Sequence, residues 1–181
     1  GTITYGGSCS SSTTEADVGE YNEVTVTLNS LAEGTYSNCT ITVTDDVGNT
    51  GTLTIPTFVI DTTAPTLAEV TAVTTPTNET TPAYTFSSSE TGTITYGGSC
   101  SSSTTSASSG SNAISFSTLS EGTYSNCTIT VTDSVGNVSS SLSFTSFTVD
   151  TTAPTVSSTS PTDNQSGVSI SDNISVTLAE S

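Results

Sequence analysis

The sequence predicts an all-β protein built from repeated β-sandwich units, and two observations carry that prediction. First, GTYSNCTITVTD at residues 34–45 returns letter for letter at residues 122–133. Second, the apolar residues of each copy alternate with polar ones in short runs rich in Thr, Val, Ile, Tyr and Phe. Such runs, broken by Gly, Asn, Pro and Ser clusters, mark strands buried on one face. No segment has helical periodicity.

The repeat sets the domain organisation. GTITYGGSCSSSTT at residues 1–14 reappears at 92–105, Leu31 maps onto Leu119, and DTTAPT at 61–66 returns at 150–155. The middle loop is three residues shorter in the second copy, and one residue is regained between DDVGNTGTL and DSVGNVSSSL. Length changes thus fall in predicted loops, where they are best tolerated. The expected domains are 1–61, a unit lacking its first strands; 62–150, a complete unit; and 151–181, the opening strands of a further unit. Gly1 already lies inside a copy, so the reading is of an excerpt, a processed product or a subunit whose borders ignore the repeat.

In the second copy, strands are predicted near 67–74, 82–87, 93–100, 112–118, 123–132 and 139–149, with a weaker one near 104–109. The last run changes phase. Leu142 and Phe144 share one parity, Phe147 and Val149 the other, and Leu53, Ile55, Phe58 and Ile60 repeat this around Pro56. A bulge or an interrupted edge strand accounts for it.

Parity also places the cysteines. Ile3, Tyr5 and Cys9 share a face, as do Cys39, Ile41 and Val43, so both thiols point to the apolar side. The equivalent set is Ile94, Tyr96 and Cys100 against Cys127, Ile129 and Val131. Four cysteines allow three connectivities, and duplication favours Cys9–Cys39 and Cys100–Cys127 over links between copies. Disulfides imply an oxidising compartment. Two cysteines per copy without any His do not make a zinc set.

The chain has no Lys, Arg or His against 17 Asp plus Glu, a formal charge of -17. It offers nothing to neutralise phosphates, so nucleic acid is excluded as a partner, and anionic membranes are disfavoured. No apolar run is long enough to span a bilayer, so membrane insertion is not expected. The inventory leaves only carboxylates, tyrosines and cysteines for proton transfer, with no cleft pattern holding two carboxylates across a substrate, which argues against an enzyme. Carbohydrate binding is the alternative, although Trp is absent and Tyr and Phe fall on core parities. Six Asn-x-Ser/Thr sequons stand at Asn38, Asn78, Asn126, Asn137, Asn164 and Asn173; chance in a Ser/Thr-rich chain explains them as well as glycosylation does.

The pattern LxEGTYSNCTITVTDxxGN followed by FxxDTTAPT resembles the end of a bacterial immunoglobulin-like repeat of large extracellular surface proteins and adhesins. Residues 156–181 resemble the opening of another bacterial immunoglobulin-like type, found in surface-layer and secreted proteins. The cysteine pair departs from most such repeats. The resemblance implies tandem immunoglobulin-like β-sandwiches in an extended, fibre-like arrangement at the cell surface or outside the cell. The role implied is that of an adhesin stalk or surface fibre, with a spacer or carbohydrate-binding module of a secreted enzyme or surface-layer protein as the alternative. Any glycan or cell-surface receptor would be engaged elsewhere in the protein.

In such a fold the end of one unit meets the turn before the last strand of the next. Asp61 is therefore expected near Asp133 and Asn137, as a possible Ca2+ site of oxygen ligands. Asp150 of one copy would likewise approach Asp45, Asp46 and Asn49 of another. Asp-centred turns and linkers are the plainer explanation of these residues. The boldest expectation concerns assembly. Val168, Ile170, Ile174, Val176 and Leu178 of one chain are expected to fill the strand positions missing from another, Val176 and Leu178 replacing Tyr84 and Phe86, to give head-to-tail copies; the simpler rival is a chain cut from a longer one, whose missing strands are covalently attached neighbours.

Overall fold

The computed structural model describes residues 1–16 and 23–179, so the last two residues of the expected 151–181 segment lie outside it. The chain divides into two units, residues 1–63 and 64–181. In the first, the strands are β1 (Thr2–Gly6), β2 (Gly34–Tyr36), β3 (Thr40–Thr44), β4 (Thr50–Thr54) and β5 (Phe58–Ile60). In the second they are β6 (Leu67–Thr71), β7 (Ala83–Ser88), β8 (Gly92–Gly97), β9 (Ser106–Ala107), β10 (Gly110–Ser115), β11 (Gly122–Tyr124), β12 (Thr128–Thr132), β13 (Leu142–Ser143), β14 (Phe147–Val149), β15 (Thr155–Ser160) and β16 (Ser175–Ala179). There is no helix among the described residues.

The second unit contains a complete sandwich. One sheet runs β10-β7-β6, another β13-β12-β8-β9, and β11 pairs with β14. Alternation sends Tyr84 and Phe86 inward from β7 and Ile129 and Val131 from β12, all at most 1% exposed. Between them lie Ile94, Ile114, Phe116, Phe144, Phe147 and Val149. The rings interlock: Tyr84 and Phe144 centroids are 4.1 Å apart, and Phe116 stacks on Phe147 at 5.9 Å.

Two long predicted strands are each broken in the structure. The run at 123–132 divides into β11 and β12 around Ser125–Cys127, and the run at 139–149 into β13 and β14. Each segment changes pairing partner at its break, because β12 joins β13 and β8 whereas β11 joins β14. The break also explains the phase change, since Phe144 and Phe147 are both buried despite opposite parity. The residue gained in the second copy forms a bulge. Thr132 bridges Val138 and Ile129 pairs with Leu142, so Ser140 and Ser141 together stand opposite Thr130. In the first unit β4 instead pairs continuously with β3, from Thr44↔Thr50 to Thr40↔Thr54.

The first unit keeps the repeated half of this plan: β1-β3-β4 in one sheet, and β2 with β5. Ile3, Cys9 and Cys39 are buried. Ile41, Val43, Phe58 and Ile60 are only half-buried, and Leu53 is 64% exposed. The counterpart of β10, residues 23–28, forms no strand. It is nevertheless held near its place: Ser11 Oγ donates to Thr27 O, and Asn29 N donates to Ser10 O at 2.8 Å. These repeat the bonds from Ser102 Oγ to Ser115 O and from Ser117 N to Ser101 O.

β15 and β16 form an antiparallel hairpin whose strand residues are all exposed. Its register corrects the sequence alignment. Thr155, the counterpart of Thr66, pairs with Ala179, whereas Thr66 O accepts the Ser89 N–H. Val156 pairs with Leu178 as Leu67 does with Ser88. Val176, rather than Leu178, therefore takes the place of Phe86, and Ile174, immediately before β16, stands at the count of Tyr84. The shift is two residues along the strand, so the face is unchanged. Val168 and Ile170 lie in the loop before β16, outside the strands.

Candidate functional sites at the ends of the units

Both cysteine pairs close within their own copy. Cys9 and Cys39 are bonded with Cα atoms 5.3 Å apart, and Cys100 and Cys127 with Cα atoms 5.2 Å apart. The turn entering each bridge is braced by the residue before its second cysteine. Asn38 Oδ1 accepts the Ser8 N–H and Asn126 Oδ1 the Ser99 N–H, both at 3.2 Å. Gly7 and Gly98 sit there at φ 74°, where a Cβ would strike the Asn38 or Asn126 carbonyl. Asn38 and Asn126, two of the six sequon asparagines, thus brace the disulfide turns.

The Asp-x-Val-Gly-Asn turns are organised around their first residue. Asp45 Oδ1 accepts the N–H groups of Val47 (3.0 Å) and Asn49 (2.8 Å), and its Oδ2 accepts the Asn49 side-chain amide at 2.7 Å. Asp133 Oδ1 accepts from Val135, Gly136 and Asn137 at 2.7–2.9 Å, and its Oδ2 from the Asn137 amide at 2.8 Å. These are Asx-type turns closed by a glycine at positive φ. The Asn49 amide and the turn N–H groups hold Asp45 below the usual carboxylate range. Partial desolvation opposes the same effect at Asp133, where the Asn137 amide and the turn outweigh it. Asp46 is exposed on its turn.

The unit ends carry a device that sequence reading missed. Glu33 Oε2 accepts the hydroxyls of Thr62 (3.1 Å) and Thr63 (2.7 Å), both just after β5. Glu121 Oε2 likewise accepts the hydroxyls of Thr151 (3.0 Å) and Thr152 (2.8 Å) after β14. Asp61 Oδ1 and Asp150 Oδ1 each accept an N–H two residues on, from Thr63 and Thr152, at 3.0 Å. Each exit is thereby held between two carboxylates. The Thr63 and Thr62 hydroxyls lower the Glu33 pKa, and those of Thr152 and Thr151 that of Glu121. The signal was present: both copies keep Glu before Gly-Thr-Tyr and Asp-Thr-Thr after the last strand.

Glu69 ties the sandwich across its edge. It accepts the Tyr84 hydroxyl (3.1 Å), the Thr145 N–H (2.9 Å) and the Thr145 hydroxyl (2.6 Å), at the break between β13 and β14. Burial, with the Glu69 charge beside it, raises the Tyr84 phenol pKa well above its ordinary value. No such partner is visible from Glu69 in the sequence, because it stands 76 residues from Thr145.

With this geometry in hand, comparison with known families assigns the class. A family model described as Bacterial Ig-like domain matches residues 70–151, and one described as Bacterial Ig-like domain (group 3) matches residues 20–93. The second match runs across the Asp61–Thr62 border drawn from the repeat. Across residues 20–151 the chain belongs to the bacterial Ig-like domains. No curated protein matched the chain. Families of this kind are typically non-catalytic modules. The class and the two disulfides accord with an extracellular or surface location. No helix among the described residues is long and apolar enough to cross a membrane, which says nothing of a β-barrel.

Proposed function

We propose that the chain is an extracellular structural module, a segment of a surface stalk or fibre whose Ig-like units are joined head to tail and stapled by one disulfide each. The observation that carries this reading is the recurrence of the same exit clamp, Glu33 on Thr62 and Thr63 and Glu121 on Thr151 and Thr152. A carboxylate fixing the first residues beyond the last strand sets the direction in which the chain leaves a unit. That matters for transmitting load or orientation and has no evident use in chemistry. The within-copy disulfides suit the same role, because each shortens the chain that one unit releases under tension.

The test is single-molecule pulling of the full chain with and without reductant. Opening of Cys100–Cys127, 27 residues apart, should lengthen the release of the second unit by roughly 90 Å at 3.3–3.6 Å per residue. Units that extend without a force peak would overturn the reading. A calcium ion shared by Asp61, Asp133 and Asn137, repeated by Asp150 with Asp45, Asp46 and Asn49 of another copy, belongs to this proposal. Calcium should then raise the melting temperature and chelation reverse it; unchanged melting would remove the ion from the account.

A further inference from the structure

We infer that the second unit carries a shear lock, in which the Glu69 side chain and residues 75–77 tie the strand by which the chain enters the sandwich to the strand by which it leaves. The inference rests on the structural-module reading and specifies how one unit resists tension. The sandwich runs from β6 to β14, with chain on both sides of it. A pull along the chain therefore enters before β6 and leaves after β14. Whether the two segments peel apart bond by bond or must slide as a whole depends on their relative direction.

That direction is parallel. Glu69 meets Thr145, Thr75 meets Thr148, and Thr77 bridges Val149 in the parallel sense. A pull backwards on the first segment and forwards on the second draws them past each other. Thr77 N donates to Thr148 O at 3.0 Å, Asp150 N to Thr77 O at 2.9 Å and Thr148 N to Thr75 Oγ1 at 3.0 Å. These bonds lie across the pull and share it, instead of opening one after another as they would at the end of a hairpin. Sliding also drags Phe147 and Val149, at most 1% exposed, out of the core. Before them in the chain, Thr145 stands in the break between β13 and β14, outside both ladders. Glu69 holds that break: one carboxylate oxygen accepts the Thr145 N–H at 2.9 Å and the other its hydroxyl at 2.6 Å. The Tyr84 hydroxyl, on a buried ring, fixes Oε2 at 3.1 Å. Hydrogen bonds to an ionised carboxylate are roughly twice as strong as neutral ones, so this tie reinforces the lock where strand pairing gives out.

The experiment is constant-force pulling of the full, oxidised chain, comparing the unaltered protein with Glu69→Gln, Thr145→Val and Ile114→Val. The first two substitutions keep the side chain's size and remove its charge or its hydroxyl. Each should shorten the lifetime of the folded second unit under force about tenfold, through the loss of charge-assisted bonding across the lock. Ile114→Val is the comparison. Ile114 is buried on β10, which pairs with neither sliding segment, so its packing survives until they part. This variant should lower stability in denaturant at least as much as Glu69→Gln does, yet change the lifetime under force by less than about threefold. A second unit whose lifetime is indifferent to Glu69→Gln and Thr145→Val, or falls as far with Ile114→Val, would overturn the lock while leaving the module reading in place. An unaltered chain whose units extend without resistance would overturn the module reading itself, so the two failures are distinct.

Discussion

Ile41 and Ile129 occupy the same position of the same twelve-residue sequence, in strands of the same length paired in the same register to TITYG strands. Ile129 is 1% exposed and its neighbour Val131 fully buried, while Ile41 and Val43 are half-buried. The local ring stacking is unchanged: Tyr36 on Phe58 and Tyr124 on Phe147 both have centroids 5.3 Å apart. What differs is the opposing sheet. A strand's conformation and pairing are therefore local properties here, whereas the stability it contributes is set by what lies ten ångströms across the sandwich.

The sharpest way to break that comparison is to cut the same side chain in both places. Ile129→Ala removes a fully enclosed group and should cost the second unit about 2–5 kcal/mol. Ile41→Ala should cost the first unit only about 1 kcal/mol, since half its surface is already wet. Unfolding in denaturant, read by exchange mass spectrometry for each unit, separates the two values, and equal losses would refute the burial argument. Reduction comes next. Opening either bridge should remove about 3–4 kcal/mol in the chain-entropy model. The smaller core of the first unit makes that loss decisive there, so the first unit should unfold in reductant while the second persists.

The smallest expected effect is on pH. Glu33, Glu121, Asp45 and Asp133 all have lowered folded pKa values. Their contribution is fully present above the ordinary carboxylate pKa, near 4, and is lost as pH falls through the lowered folded values. Both units carry the same pair of devices and the second adds Glu69, whose partial burial is outweighed by the Thr145 and Tyr84 hydrogen bonds that lower its pKa, so both melting temperatures should fall below about pH 4, that of the second unit more steeply. Glu33→Gln and Glu121→Gln should shrink the fall in their own units.

Parity was enough to read the inward face of β8 and β12, and duplication was enough to pair the cysteines. Both rest on short-range geometry that the chain spells out twice. The break between β13 and β14 was legible only as a phase change and the one at Ser125–Cys127 not at all, because alternation reports faces and not partners. The Ser140–Ser141 bulge answers to the inserted residue, which marked the place without its form. Glu33 and Glu121 were overlooked because exposed carboxylates are ordinarily solvated; only the fold brings them to the Thr-Thr pairs. Glu69 was unreadable for the same reason at longer range. The β15–β16 alignment slipped by two residues because loop length differs between the hairpins, and parity cannot detect an even shift.

Native-state hydrogen exchange of the dilute chain tests the central claim most directly, since it compares identical amides in one sample. The account predicts that the β12 amides of Ile129 and Val131 exchange only with global unfolding of the second unit. Those of Ile41 and Val43 in β3 should exchange through smaller openings and be orders of magnitude less protected. Equal protection of the two strands in monomeric protein would contradict it.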